Sequence, residues 1–263
     1  MKHTNETFPT AMESVFLIIA QFGIGYLVGA ALVDCQSVIG VDVRQVPGAI
    51  ILISNGILLS LIMAWKGWHY RELLHPTSGS PLRLMGLTTV PLLLLVPALL
   101  LAVKAVNTAV VSYFPPSGWE QQLFEQFDAA DPVMVLTICV IGPVVEEMLF
   151  RGVILRSFLA QYRSEWAILG SAALFGAAHM NIYQGFTGLA IGVILGWLYT
   201  RTRSVLPGML LHVAYNTAVL ITSSLDSHVT LQSPSSTAVW IIAFLSAAVS
   251  FTWLERKLSH LRS

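Results

Sequence analysis

Eight apolar runs, set apart by charged or turn-forming residues, constrain this chain more than any other feature. They read Val15 to Val33, Gly48 to Trp65, Leu84 to Val103, Pro132 to Leu155, Trp166 to Met180, Gly185 to Thr200, Val205 to Thr222 and Ala238 to Leu254. Only helices and closed barrels satisfy backbone N–H and C=O groups in hydrocarbon, and a barrel needs alternating strands rather than continuous runs. Most of the runs reach the roughly 17 to 25 residues that a span requires. The sequence therefore predicts an all-α polytopic membrane protein with about eight transmembrane helices, forming a single domain over residues 1–263. Composition agrees, since 11% of the residues are charged against about 25% in a soluble domain. With 14 Lys and Arg balanced by 14 Asp and Glu, no basic excess exists to bind phosphate backbones. The expected surroundings are a lipid bilayer, and nucleic acid is excluded as a partner. Cys35 and Cys139 neither demand a disulfide nor form a zinc knuckle.

Charge between the runs predicts orientation, because cytoplasmic loops collect Lys and Arg. Twelve of the fourteen basic residues fall in one alternate set of segments, and only Arg44 and Lys104 in the other. Both termini are expected on the cytoplasmic side, in a bacterial inner membrane to judge from the compact length. Asp34 precedes Cys35 where a lipoprotein cleavage site needs a small residue, so the first run reads as an uncleaved span. The fifth and sixth runs are short and joined only by Asn181 to Gln184, which predicts a tight hairpin. Gly25 and Gly29, and the series Gly188, Gly192 and Gly196, put small residues one turn apart, a pattern for close helix approach within the chain. In the outside loop, Lys104 to Asp131, the spacing of Trp119, Leu123, Phe124 and Phe127 fits an interfacial helix and a packed loop helix equally well.

Ionisable groups inside spans cost about 2.5 to 3.5 kcal/mol each at mid-membrane on insertion scales, so each needs a reason. Three runs carry them: Gly142-Pro143-Val144-Val145-Glu146-Glu147-Met148-Leu149-Phe150-Arg151, Phe175-Gly176-Ala177-Ala178-His179, and His212-Val213-Ala214-Tyr215-Asn216. Adjacent helical residues point about 100° apart, so Glu146 and Glu147 have different surroundings. Glu147 and Arg151 stand at i and i+4 with the acid first, the favourable order for an ion pair. Glu146 is then left to face the bundle interior. Pro143 cannot donate to the carbonyl of Cys139, which predicts a kink and a wet pocket one turn before Glu146. His212 and Asn216 share a helical face and offer a ring nitrogen and an amide donor side by side. Counted from the cytoplasmic run ends, Glu146 and His212 lie roughly 10 to 12 Å deep and His179 nearer 20 Å.

These residues resemble the CPBP intramembrane proteases, also called the Abi or type II CAAX endopeptidase family. The family pattern is two glutamates, three residues and an arginine; then Phe and His four apart; then His and Asn four apart. Here it runs Glu146, Glu147 and Arg151, Phe175 and His179, and His212 and Asn216, within about 131–216. The resemblance implies a glutamate-dependent endopeptidase acting on a membrane-associated protein or peptide, a prenylated CAAX substrate being one form. Glu146 with His179 would activate a water, His212 and Asn216 would stabilise the oxyanion, and Glu147, Arg151 and Phe175 would orient them. No cofactor or metal is implied. A metal-dependent protease ranks lower, because the short helical zinc motif of two histidines with an intervening glutamate is absent. A noncatalytic scaffold or immunity protein is the rival from another class.

Overall fold

The computed structural model describes residues 7–40, 42–120, 131–228 and 237–259. Each of the eight runs is a helix, and no strand occurs among the described residues. In chain order the main helices are α1 (Ala11–Ile39), α2 (Pro47–Lys66), the short α3 (Tyr70–Leu74), α4 (Pro81–Tyr113), α5 (Pro132–Gln161), α6 (Ser164–Ala177), α7 (Ile182–Thr202), α8 (Leu206–His228) and α9 (Thr237–Ser259). The protein is an all-α polytopic membrane protein. Six of these helices, α1, α2, α4, α5, α7 and α9, are long and apolar enough to cross a membrane unaided. Helix α6, with 14 residues, spans only about 21 Å, less than a hydrocarbon core of about 30 Å. Helix α8 is long enough, but His212, Tyr215 and Asn216 dilute its apolar character.

Local chemistry sets the helix ends. Thr10 and Glu13 form a capping box at the start of α1, and Gly40 closes it in the left-handed conformation. Pro47, Pro81 and Pro132 occupy first helical positions, where their missing N–H is not needed. The hairpin predicted between the fifth and sixth runs is present: Met180 turns the chain with φ +53°, and the Asn181 side chain caps α7 by accepting from the N–H groups of Tyr183 and Gln184.

Two sequence expectations change. Helix α4 runs through Lys104 to Tyr113, so Lys104 is not a loop residue. The expected helix around Leu123, Phe124 and Phe127 lies outside the described residues. The apolar run ends at Leu155 and the charge bias counts Arg151 to Arg163 as a cytoplasmic loop, but helix α5 continues to Gln161, so Arg151 and Arg156 belong to a helix. The reason is that Arg151 is neutralised and buried in place, so its charge does not mark a membrane boundary. Counted from Gln161, Glu146 lies about 22 Å along α5. That matches the depth of the α6–α7 hairpin tip and removes the mismatch between Glu146 and His179.

Two apolar clusters build the interior. One joins Leu58, Leu59, Leu73, Phe150, Ile154, Phe158 and Phe175, from α2, α3, α5 and α6. The other joins Leu92, Leu95, Leu195, Leu198, Leu211 and Leu254, from α4, α7, α8 and α9. The α7 glycines act within the chain: a Cβ at Gly192 would lie 2.9 Å from the Ala172 Cβ, and one at Gly196 would lie 3.0 Å from Ile168. Helices α6 and α7 can pack this closely only with glycine there.

Candidate active site

The polar groups gather where α5, α6 and α8 meet, and the backbone of α5 is irregular at that point. It widens to π-helical turns over Thr137–Ile141 and Met148–Leu155, on either side of the regular turn Gly142–Glu147 that carries both glutamates. Such bulges are rare and concentrate at functional sites. The first has a chemical cause. Pro143 has no N–H, and Gly142 donates to the Thr137 carbonyl, so the carbonyl of Ile138 receives neither bond. Asn216 on α8 donates its side-chain amide to that oxygen at 3.0 Å. The carbonyl served from outside the helix is thus Ile138's, where the sequence pointed to Cys139.

The ion pair expected within α5 is present and fully buried: Arg151 Nη1 donates to Glu147 Oε1 at 2.7 Å. The guanidinium also reaches the Gly192 carbonyl at 3.3 Å and lies 4.5 Å above the Phe175 ring. Gly192 thus lets α7 approach both α6 and this arginine. Glu147 has a second partner that the i, i+4 rule could not reveal, because it comes from α8. His212 Nδ1 lies 3.2 Å from Glu147 Oε1, while its Nε2 lies 3.8 Å from Glu146 Oε2. A carboxylate only accepts, so Nδ1 carries the proton and Nε2 is the nitrogen directed to Glu146. Glu147 therefore balances Arg151 and fixes the ring orientation of His212. Its other oxygen, Oε2, sits against Gly208, where a Cβ would be 2.8 Å away.

Glu146 is different. Its side chain retains 29% exposure and lines a cavity of about 340 Å³ between α1, α2, α5 and α6, together with His179, Phe150 and Phe175. His179 follows the end of α6, where its Nδ1 hydrogen-bonds the Phe175 carbonyl at 2.9 Å. That acceptor requires a proton on Nδ1 and leaves the Nε2 lone pair free for chemistry. Phe175 ties the parts together, making edge contacts to His179 at 5.0 Å, His212 at 5.7 Å and Phe150 at 5.0 Å between centroids. Asn216, committed to Ile138, is the furthest from the disposition expected of it, although one of its two amide hydrogens remains. Among the described residues, no three His, Cys, Asp or Glu side chains converge as a metal-ligand set.

Sequence reasoning overlooked the far wall of the cavity. Ser54 and Asn55, buried on α2, line it beside Gln21 of α1. Asn55 donates to the Ile51 carbonyl at 2.9 Å, and its Oδ1 has no protein partner. The signal was available, because Ser54-Asn55 interrupts an otherwise apolar run and a polar amide at that depth needs a reason.

Fold and site together define a helical membrane protein with a buried Glu-Arg-His network beside a half-open glutamate and histidine. Comparison with known proteins gives the same class. Residues 128–218 match the family described as Rce1-like, type II CAAX prenyl endopeptidase Rce1-like. Over 92 residues the chain is 29% identical to the protein named "Putative membrane peptidase YdiL" of Bacillus subtilis (strain 168), a stretch covering 35% of this chain and 38% of that one. The family resemblance carried by the three motifs is borne out over this segment.

Proposed function

We propose that the protein is an intramembrane endopeptidase in which Glu146 and His179 activate a water to hydrolyse a peptide bond of a membrane-associated protein or peptide. The observation that carries this reading is that both residues line one cavity, Glu146 partly open and His179 with Nδ1 committed to the Phe175 carbonyl. A carboxylate withdrawn from bulk water serves as general base, and an imidazole beside it takes or returns the second proton. His212, held by Glu147, has its Nε2 3.8 Å from Glu146 Oε2. With Nδ1–H given to Glu147, His212 donates to the oxyanion as an imidazolium through Nε2–H, and with the remaining Asn216 hydrogen it makes the donor pair for the tetrahedral oxyanion. Substrates of the CAAX type are one class that fits. The membrane is the bacterial cell membrane, with the Lys- and Arg-rich helix ends and both termini facing the cytoplasm.

The test is Glu146→Gln in the full-length chain, followed by peptidomics of membranes from cells carrying either form. An endopeptidase accumulates uncleaved peptides while the variant inserts and folds normally. If the two membranes have identical peptide profiles, the protein is a scaffold and this reading fails.

A further inference from the structure

Away from the glutamates, three spanning helices end together around a second, basic cavity. It holds about 350 Å³ and is lined by Lys66 at the end of α2, Arg156 and Ser157 near the end of α5, and Arg203 just past α7, with Trp68 and Phe8 as aromatic walls. No carboxylate lines it among the described residues. Lys66 and Arg156 share one indole, with Nζ 5.0 Å and Cζ 4.1 Å from the Trp68 ring. Helix dipoles favour a cation at each C-terminus, and hydrogen bonds hold two of these in place: Lys66 donates to the Phe8 carbonyl at 2.8 Å and Arg156 to the Glu72 carbonyl at 2.6 Å, with Arg203 beside them on the same hollow. Arg203 has φ +50°, a left-handed conformation that Gly or Asn adopts more cheaply at a helix end. The residue kept there supplies a guanidinium to this cavity and to the neighbouring one of about 970 Å³, which Arg83 and Arg201 also line.

The depth of the cavity points to its occupant. Trp65, Tyr70, Tyr162 and Trp166 are exposed at this end of the bundle, and Trp and Tyr collect at the membrane–water boundary. Basic pockets between spanning helices at that level bind anionic headgroups, and arginine pairs with phosphate through two parallel hydrogen bonds.

We propose that this cavity binds a phosphate group, delivered by an anionic phospholipid whose headgroup enters between α2, α5 and α7. The thermal unfolding midpoint of the full-length chain in detergent is measured against added phosphatidylglycerol, phosphatidylcholine or inorganic phosphate, in wild type, Lys66→Gln, Arg203→Gln and Arg163→Gln. Arg163 is an exposed arginine paired with Glu165 and does not line the cavity, so it controls for surface charge. Phosphatidylglycerol raises the midpoint saturably, and its apparent affinity falls about fivefold in Lys66→Gln and Arg203→Gln but not in Arg163→Gln. A rise produced equally by inorganic phosphate supports the phosphate site and assigns its source to free anion. Equal stabilisation by phosphatidylcholine, or equal loss in Arg163→Gln, overturns the proposal.

Discussion

Helices α1 and α5 have the same mean hydropathy, 2.1 in their most apolar windows, yet none of that window is buried in α1 and half of it is buried in α5. Apolar character thus decides that a helix enters the membrane and says little about where it then sits. In lipid there is no hydrophobic drive between helices, so position is set by polar bonds and close approach. Helix α5 has these in Glu147, Arg151, Pro143 and the carbonyl taken by Asn216. Helix α1 lies chiefly along α2, with Gly25 and Gly29 facing Ser54 and Ile50.

The comparison breaks first at the buried pair. Arg151→Ala removes the buried cation beside Glu147 and leaves it held by His212 alone, a loss of about 3 to 5 kcal/mol, read as folded yield and unfolding midpoint in detergent. Glu147→Ala strands Arg151 and also frees His212, so its loss is at least as large. Glu146→Ala, next in sequence but open to the cavity, keeps its folded yield while cleavage is abolished. Equal loss of folded protein in all three variants contradicts this division. At the next level, Asn216→Ala leaves the Ile138 carbonyl without its donor and costs about 1 to 3 kcal/mol. If Asn216 also serves the oxyanion, turnover falls by roughly 10² to 10³ beyond the stability effect, with substrate binding little changed. A variant that is destabilised with normal turnover assigns Asn216 to the helix bulge alone.

What was legible in the sequence follows the same division. Local rules gave the helices, the hairpin, the glycine stripe and the Glu147–Arg151 pair, because each depends on residues within about one turn of each other. Partners from distant segments were not legible. Nothing near Glu147 announces His212, and nothing near Pro143 announces Asn216. Arg151 and Arg156 misled the placement of the α5 end because an arginine held within the fold, Arg151 by a carboxylate, a carbonyl and a ring and Arg156 by the Glu72 carbonyl and the Trp68 ring, resembles, in sequence, one that marks a membrane surface.

Glycine separates the two helix environments on a smaller scale. At Gly208 an added methyl meets the Glu147 carboxylate at 2.8 Å, whereas at Gly23 of α1 it meets nothing within 4 Å. Alanine gains up to about 1 kcal/mol of helix propensity at either position. Gly23→Ala should therefore be neutral or stabilising by up to about that amount. Gly208→Ala should lose about 1 to 2 kcal/mol net, the overpacking exceeding the gain. Unfolding midpoints of the two variants check the sign, and a stabilised Gly208→Ala would mean that the carboxylate moves freely.

The smallest expected effect lies outside the membrane, in α3. Leu73 on this helix packs against Gly152 in the second wide turn of α5, where a Cβ would come within 2.8 Å of it, so the α3 cap bears on the shape of the site helix. Glu72 closes that cap by accepting from the His69 backbone N–H at 2.8 Å. Hydrogen bonds from its own and the His69 backbone N–H hold its carboxyl below the ordinary glutamate value, with His69 and Arg71 adding charge attraction. A carboxylate whose value is lowered by folding stabilises the fold fully above the unfolded range, and this contribution is lost as pH falls through the lowered folded value. The wild type should therefore lose this increment only below about pH 4.5, the unfolded glutamate value. Glu72→Gln should lack it at every pH. Unfolding midpoints at pH 7 and below 4 in both proteins decide the matter: the difference between them narrows on acidification, and a difference independent of pH would mean that Glu72 acts through its shape rather than its charge.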